Sequence, residues 1–380
     1  MSCRIRAPRS TQPGKRIGRP TATVVIPCHN YGRYLPQAAL SALGQEGVEV
    51  EVIVVDDAST DQSLDVASQL CARYPGVKVL ANSTNCGPVA TFNKGLAAAT
   101  GEFLVRLDAD DLLTPGSIAR AITVFDAFPS VGLVYGHPLH FTEMNLPPAR
   151  TRPKQWTVWS GKEWLRDRCI SGLNVITSPE VVMRMSTVHH AGPQMPLRHT
   201  HDMEMWLRLA AFGDVAFLHG VDQAWHREHP ASLSATEVTE LIDLRGRAEA
   251  FDVLFSGPVG EMPELMALRE SSSRALAEES VERAIREYDV GRGRSFESLA
   301  YQALAEDLVT DVSTIRNWNR LEAYRRRGTS PAGFSADALV RRLRRRVRTK
   351  ASERRWRRDG VFTPGLGPRM ARLGIAGRES

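Results

Sequence analysis

The sequence predicts an α/β protein with a mostly parallel sheet flanked by helices and a helical extension at the C-terminal end. Short, nearly all-apolar runs alternate with helical patterns through the first half of the chain, and acidic side chains follow the ends of two runs. Such alternation favours parallel strands covered on both faces. Hydrophobic residues make up 42% of the 380 residues, which allows a sizeable core.

Local signals define each element. β-branched runs predict strands, and stretches bounded by Pro or Gly predict the helices between them. The first predicted strands cover 21–27, 48–57, 77–82 and 102–107, and the helices between them cover 34–43, 63–74 and 88–99. Later predictions are a helix after Pro115, strands at 132–136, 175–184 and 214–218, and a helix at 202–213. Residues 236–330 have a polar, helical pattern.

Charge is unevenly distributed around a net value of +6. Residues 1–20 carry six basic and no acidic side chains, and residues 320–380 carry eighteen basic and five acidic ones. Residues 21–319 therefore sum to about −13. An acidic body argues against nucleic acid binding. The N-terminal segment lacks the apolar core of a secretory signal, so we predict residues 1–20 to be a disordered basic leader.

Cysteine usage points to a reducing compartment. The five cysteines are scattered and none forms a C-x-x-C pair. We predict reduced thiols and a cytoplasmic protein. The sequence contains no run of about eighteen apolar residues, so it predicts no membrane-spanning helix.

Carboxylates collect where predicted strands end. Asp56 and Asp57 follow the second strand, and Asp108, Asp110 and Asp111 follow the fourth. Ligands of parallel sheets bind beyond the carboxyl ends of the strands, so one crevice would collect these acids. If this segment is extended, the side chains of Asp108 and Asp110 share a face and that of Asp111 points away. Mg²⁺ and Mn²⁺ take such oxygen ligands, although an isolated D-x-D also fits a solvated turn.

Three segments in series resemble glycosyltransferase family 2. They read V-V-I-P-C-H-N-Y-G-R-Y-L, V-I-V-V-D-D-A-S-T-D and N-C-G-P-V-A-T-F-N-K-G-L-A-A-A-T-G-E-F-L-V-R-L-D-A-D-D-L-L-T-P-G. The resemblance covers residues 21–235 and implies the GT-A fold. It also implies inverting transfer of a sugar from a nucleotide-diphosphate sugar, with Mn²⁺ or Mg²⁺ as cofactor. The acceptor hydroxyl would belong to a glycan, a lipid-linked sugar or a small molecule.

The resemblance assigns donor-side roles by position. The residues implied in donor binding are Pro27, His29, Asn30, Asp56, Asp57, Asn85, Gly87, Asp108 and Arg227. Among them, His29 would lie beside the base, Asp57 would accept a hydrogen bond from it, and Asp108 would contact the ribose or a metal-bound water. Asp110 would ligate the cation, with His229 as an additional ligand. Taken alone, His29 also fits a turn histidine and Asp57 a helix N-cap.

The acceptor side depends on H-T-H-D-M-E-M-W-L-R-L-A, which resembles the family's Glu-Asp motif. Asp202 is the implied catalytic base, and His201 in place of the usual Glu would tune it. Asp202 also suits a helix N-cap, which is the structural alternative. Processive members carry Q-x-x-R-W, and M-W-L-R-L-A stands here instead, so we expect one sugar per encounter. In W-H-R-E-H-P-A-S-L-S, Arg227 and His229 would close over the diphosphate, unless the segment is a surface loop.

Two departures keep other functions open. Family members often carry Arg where this chain has Phe92, so a cationic contact to the nucleotide would be missing. The second departure is His201 in place of the usual Glu. Together the two departures keep open the alternative of a catalytically degenerate scaffold that binds a nucleotide without turnover. A nucleotidyltransferase would need a Gly-rich basic phosphate loop, and an NAD enzyme would need G-x-G-x-x-G after the first strand. The histidines have no structural zinc spacing.

The C-terminal tail, residues 331–380, is strongly basic. Residues 335–350 place Leu339, Val340, Leu343 and Val347 at helical spacing among arginines. Basic amphipathic helices of this type lie on anionic membrane surfaces. We therefore expect residues 335–358 to bind the inner face of a membrane. A solvated helix, a disordered tail and an RNA contact are the alternatives.

Overall fold

The computed structural model describes residues 3–6, 18–142, 145–230, 232, 237–327, 336–362 and 369–370. Within these ranges one mixed sheet is covered by helices on both faces, which confirms the predicted α/β class. The strands are β1 (Cys3–Arg6), β2 (Thr21–Cys28), β3 (Glu49–Asp56), β4 (Val77–Ala81), β5 (Phe103–Arg106), β6 (Leu112–Leu113), β7 (Val131–Phe141), β8 (Gln155–Trp159), β9 (Val182–Arg184), β10 (Asp214–Arg227) and β11 (Arg369–Met370). The helices are α1 (Leu35–Leu43), α2 (Ser63–Arg73), α3 (Gly87–Ala97), α4 (Ser117–Ala127), α5 (Gly161–Ser171), α6 (Met185–Ala191), α7 (His201–Phe212), α8 (Glu240–Ser256), α9 (Pro263–Asp289), α10 (Phe296–Leu308), α11 (Trp318–Arg327) and α12 (Ala336–Asp359).

The order of strands across the sheet is β11-β1-β8-β10-β7-β9-β5-β2-β3-β4, with β6 paired to β10. The pairs among β2, β3, β4 and β5 are parallel, as predicted. By contrast, β8 and β9 pair antiparallel with their neighbours. The parallel half of the sheet is therefore the half in which strand ends meet at one edge.

Alternate residues of the central strands supply two separate cores. In β2, Val24 and Val25 are fully buried, and they belong to different apolar clusters on the two faces of the sheet. The cluster that contains Val25 continues through Trp206 of α7 and Val281 of α9. The C-terminal helices thus pack on one face of the sheet and share its core, instead of enclosing a core of their own.

The strand lengths beyond β5 differ from expectation. β10 runs for 14 residues, whereas the sequence predicted only 214–218 as a strand. Of the predicted strand 175–184, only Val182–Arg184 is extended in the sheet. The extra length of β10 contains polar residues that are buried against partners far along the chain. Asp222, for example, is 1% exposed and pairs with Arg150 at 2.5 Å.

The two ends of the chain are partly structured. Cys3–Arg6 of the predicted leader forms β1 and pairs with β8, which the sequence did not predict; residues 7–17 lie outside the described part. At the other end, α12 extends nine residues beyond the predicted 350. Its end packs into the core: Trp356 Nε1 donates to the Val175 carbonyl at 2.8 Å, and Val361 is fully buried. None of the helices in the described ranges is long and apolar enough to cross a bilayer.

Candidate active site

Three neighbouring parallel strands end at the candidate site. β2 lies between β3 and β5, and Cys28 at the end of β2 is paired with Asp56 at the end of β3. From these ends the chain continues into His29 and Asp57, and from Arg106 at the end of β5 into the acidic segment. The structure therefore brings the donor-side residues predicted from these segments to one edge of the sheet.

His29 links two of the loops at this edge. Its Nδ1 lies 2.8 Å from the Asp57 carbonyl oxygen, and its Nε2 lies 3.1 Å from Nδ2 of Asn30 and 3.2 Å from Nδ2 of Asn85. The amide oxygens of both asparagines accept backbone N–H groups, which orients the nitrogens toward the ring. The ring proton therefore sits on Nδ1, and two donors compete for one lone pair on Nε2. Pro27, half-buried at the end of β2, lies two residues before.

Asp57 holds the start of α3. Its buried carboxylate accepts the N–H of Cys86 at 2.8 Å and that of Gly87 at 2.9 Å. Burial acts to raise the pKa of Asp57, but these bonds and other donors outweigh it and lower the pKa below its ordinary value. Gly87 has φ +83°, a conformation that favours glycine. Asp56 accepts the N–H of Ser59 at 3.1 Å and supports the preceding turn.

The acidic segment forms a turn. The N–H of Asp111 donates to the carbonyl oxygen of Asp108 at 3.0 Å, so the backbone is not extended and the predicted strand alternation was wrong here. The Asp108 carboxylate faces the guanidinium of Arg106 at 3.1 Å and is 40% exposed. Asp111 is buried, and its carboxylate bonds to Nδ1 of His226 at 3.0 Å and to a backbone N–H of β10. Asp111 thus anchors the turn to β10, and burial raises its pKa.

The two residues predicted as metal ligands, Asp110 and His229, are in contact. Asp110 Oδ2 lies 2.9 Å from His229 Nε2, and the imidazole packs 5.7 Å from the ring centre of Tyr31. His229 Nδ1 is buried without a hydrogen-bond partner among the described residues. Burial and the charge of Asp108 raise the pKa of Asp110. Across the described part of the chain, no group of three or more His, Cys, Asp or Glu side chains is arranged to hold a metal ion.

Arg227 is buried beneath this pair. Its Nε donates to the Asp110 carbonyl oxygen at 2.9 Å and its Nη2 to Oε1 of Gln37 at 2.7 Å. The guanidinium carbon lies 4.5 Å from the ring centres of both Tyr34 and Phe141. These contacts fix the acidic turn from below, and they occupy much of the group that was expected to close over a diphosphate.

Asp202 stands near the start of α7. Its Oδ1 accepts the N–H of Met203 at 2.7 Å, and its Oδ2 accepts the Ser178 hydroxyl at 3.3 Å. The first bond is made to the following residue within the first turn of α7, whose N-cap is Thr200, so Asp202 is not the N-cap of this helix. Burial raises the pKa of Asp202, although Arg106 acts to lower it. Burial and the same arginine lower the pKa of His201 to about 3, which leaves its imidazole neutral.

Arg106 joins the acidic turn to Asp202, and the sequence analysis missed it. The side chain is buried, its guanidinium carbon lies 5.7 Å from the Phe92 ring centre, and it pairs with Asp108. Asp108 in turn acts to raise the pKa of Asp202. The guanidinium of Arg106 therefore lies beside Phe92, the position at which the sequence predicted that a cationic side chain is missing. The signal was present, because Arg106 opens R-L-D-A-D-D.

Other contacting residues were also missed. Tyr31 packs against the predicted ligand histidine, and Gln37 accepts from the buried arginine of β10. Both lie within or just after the quoted segment Y-G-R-Y-L, so spacing could have found them. Ser178 lies in a stretch without a motif, and only the fold brings it to Asp202.

Comparison with known proteins identifies the domain that carries the donor side. The model of the family described as Glycosyl transferase family 2 matches residues 23–185. This domain belongs to glycosyl transferase family 2. The family 2 domain runs from β2 through β9 and includes the His29 loop and the acidic turn. The matched region ends before Asp202 and His229, and the roles of the site residues within it and beyond it stay predictions.

Two curated relatives and one solved structure illustrate the similarity. An uncharacterized glycosyltransferase of Nostoc sp. is 41% identical over 113 residues, 30% of this chain and 35% of the relative. The succinoglycan biosynthesis protein ExoO of Rhizobium meliloti is 38% identical over 108 residues, 28% of this chain and 30% of the relative. The chain thus spans about a third of each relative's length. The structure of a mannosyltransferase from Pyrobaculum calidifontis, 19% identical, covers 84% of this chain and 88% of its own with a TM-score of 0.50, which supports the GT-A fold.

Proposed function

We propose that this protein is an inverting, metal-dependent glycosyltransferase that moves one sugar from a nucleotide-diphosphate sugar to an acceptor hydroxyl. The observation that carries the proposal is the shared environment of the acidic turn and Asp202. The charge of Asp108 acts on the pKa of both Asp110 and Asp202, and Arg106 pairs with Asp108 and acts on Asp202, which supports a base candidate close to the donor side. The Pyrobaculum mannosyltransferase was solved with GDP-Man and Mn²⁺, a donor and an ion of the proposed classes.

The nucleotide lies, in this proposal, against the loops after β2 and β4. Asn30 and Asn85 both direct an amide N–H at His29 Nε2. One of these amides could therefore bind the nucleobase while the other keeps the imidazole proton on Nδ1. Asp57 contributes indirectly, since its carboxylate holds the backbone at Gly87. Pro27 and Asp56 shape the floor of the pocket at the ends of β2 and β3.

The residues of the site fit Mn²⁺ or Mg²⁺. Asp110 and His229 offer a carboxylate and an imidazole, and the raised pKa of Asp110 reflects burial and repulsion from Asp108. Hard divalent ions are commonly held by one or two protein ligands together with substrate phosphates, which agrees with a site of two protein groups. When bound, the ion would stabilise the charge of the departing diphosphate.

Asp202 takes the proton of the acceptor hydroxyl in this proposal. A general base works best when its pKa approaches the operating pH, and burial raises the pKa of Asp202. Oδ1 is held by the N–H of Met203, so Oδ2, which only the Ser178 hydroxyl contacts, is the atom that would receive the proton. M-W-L-R-L-A in place of Q-x-x-R-W supports transfer of a single sugar per encounter.

The proposed acceptor is a glycan or a lipid-linked sugar. The Rhizobium relative is named for succinoglycan biosynthesis, which supports an acceptor of this class. We further propose a cytoplasmic location at the inner face of a membrane, with α12 in contact with the anionic surface. The exposed Leu343 and Val347 and the arginines around them support this contact.

The test is release of nucleoside diphosphate from a panel of nucleotide sugars, with and without Mn²⁺. The proposal predicts ion-dependent release from one donor or a few related donors. A degenerate scaffold, which Phe92 and His201 keep as the second candidate, predicts donor-dependent thermal stabilisation without release. Release of pyrophosphate instead of nucleoside diphosphate would indicate a nucleotidyltransferase.

A further inference from the structure

A cleft lined with arginines lies between the C-terminal helices. α12 is held against the end of α9, where Arg341 pairs with Asp289 at 2.5 Å and bonds to the Tyr324 hydroxyl at 2.8 Å. Between α9, the start of α11 and α12 the structure leaves a space of about 300 Å³. Such a volume is at the lower end of the range of small-ligand pockets. The arginines that line it are Arg316, Arg320, Arg341, Arg344, Arg345 and Arg348.

The positive charge of this arginine cleft is only partly neutralised. Arg316 pairs with Glu282 at 2.9 Å, and Glu282 is the one acid among the lining residues. Within the described ranges, Arg344 and Arg348 have no acidic partner and are exposed. Burial and the neighbouring arginines lower the pKa of Arg345, and they outweigh Asp289, which lies 3.7 Å from its guanidinium and acts to raise the pKa. Guanidinium groups gathered from three segments around a concave space suit bidentate contacts to phosphate.

An apolar stripe runs beside the cleft on the same helix. Leu339, Val340, Leu343 and Val347 are between 42% and 68% exposed. They recur at three- and four-residue spacing, so they share one side of α12. Val340 and Arg344 are four residues apart, which places the stripe directly next to the cleft.

We propose that the arginine cleft binds the terminal phosphate of a bilayer lipid, and that the stripe lies against the hydrocarbon below it. The inference rests on the membrane association proposed above and adds a defined headgroup site to it. Diffuse attraction to an anionic surface needs only exposed basic residues. A concave site beside an apolar edge matches a molecule with a phosphate head and a hydrocarbon tail.

Vesicle pelleting of the full chain tests the headgroup site. Phosphatidylcholine vesicles carry either phosphatidic acid, which has a terminal phosphate, or phosphatidylglycerol at a mole fraction that gives equal surface charge. We expect tighter binding to phosphatidic acid. R344A/R348A should weaken that binding by more than about thirtyfold, which is the loss that removing any two basic side chains near an anionic surface would cause at about 1 kcal/mol each. The matched control is R342A/R346A, which removes the same charge from exposed positions outside the cleft.

The outcomes separate this inference from the catalytic proposal. Equal losses for the two double variants, or equal binding to both lipids, would overturn the headgroup site. L339S/L343S should lose vesicle binding yet keep any thermal stabilisation by inorganic pyrophosphate. If the wild-type protein is stabilised by pyrophosphate but binds no phosphatidic acid vesicles, the cleft is a free-anion site and the lipid assignment is overturned. Donor hydrolysis should be unchanged in all three variants, so its failure would concern only the proposed activity.

Discussion

The guanidinium carbon of Arg106 lies 5.7 Å from the centre of the Phe92 ring, while Nη2 of the same arginine lies 3.1 Å from Asp108. Arg106 is therefore a buried cation that pairs with Asp108 and lies close enough to Asp202 to act on its carboxylate. Its charge acts to lower the pKa of Asp202. The acidic turn and the base candidate are coupled through this residue, and the coupling can be measured.

Replacing Arg106 by Met should move the acid limb of the transfer rate to higher pH. Asp202 must be deprotonated to act as a base, and loss of the arginine removes the charge that lowers its pKa. Arg106→Lys keeps a cation and should retain most of the wild-type profile. The rate of transfer is measured from pH 5 to pH 9. An unchanged limb in Arg106→Met would show that the arginine does not act on the base.

Asp202→Asn should abolish transfer while donor binding stays near normal. Asn can still accept the Met203 N–H through its Oδ1, and its Nδ2 can donate to the Ser178 hydroxyl oxygen, so both contacts survive while the base is lost. General bases contribute about a hundredfold to ten-thousandfold in rate. Single-turnover transfer and donor titration are measured on the same samples. If transfer remains at the wild-type rate, another group is the base.

Asp110→Asn should remove ion-dependent donor binding. The substitution keeps the shape of the side chain next to His229 but removes the charge that a divalent ion requires. Calorimetric titration with nucleotide sugar, with and without Mn²⁺, measures the effect. Asp65→Asn, at an exposed position of α2, is the control for loss of one negative charge. Equal ion dependence in both variants would remove Asp110 from the proposed metal site.

Asp57→Asn should lower the free energy of unfolding by about 1.5–3 kcal/mol, the range for hydrogen bonds to a charged group. The pKa of Asp57 is lowered in the folded protein, so its stabilisation is present above the ordinary value of 3.8. It is lost as the pH falls through the folded value. Urea unfolding at pH 7 and at stepwise lower pH should therefore show the difference from wild type shrinking. A constant difference would mean that the charge of Asp57 is not involved.

Removal of residues 336–380 should destabilise the protein, because the end of α12 and the residues directly after it pack against the core. The Tyr135 hydroxyl donates to the Gly360 carbonyl at 2.9 Å, Trp356 contacts the core, and Val361 is fully buried. Exposing the fully buried Val361 side chain alone would reduce the free energy of unfolding by about 1.5–3 kcal/mol. Urea unfolding measures the change. R344A/R348A, at exposed positions, should leave stability within about 0.5 kcal/mol of wild type.

The sequence predicted the parallel half of the fold within one or two residues because its signals are local. β2 to β5 are short apolar runs with Pro, Gly and polar residues at their ends, and the carboxylates follow directly. By contrast, β10 contains buried His219, Asp222 and Gln223, whose partners lie far away in the chain. No periodicity marks such residues as strand, because their burial depends on those partners.

The site was predictable to the same extent. Residues of the strand-end motifs meet as expected, since parallel strands bring their ends together. The partners of Asp111 and Asp110 come from β10 and the segment after it, so their contacts required the fold. The packing of α12 against the core could not be predicted from the sequence either, because basic residues dominate this helix and only its last turns reach the core.

Anomalous diffraction from crystals grown with Mn²⁺ and the nucleoside diphosphate of the preferred donor tests the central claim most directly. The account predicts a manganese peak within bonding distance of the Asp110 carboxylate, with the diphosphate on the same side and the base near His29. A manganese peak and a diphosphate away from the acidic turn would contradict it.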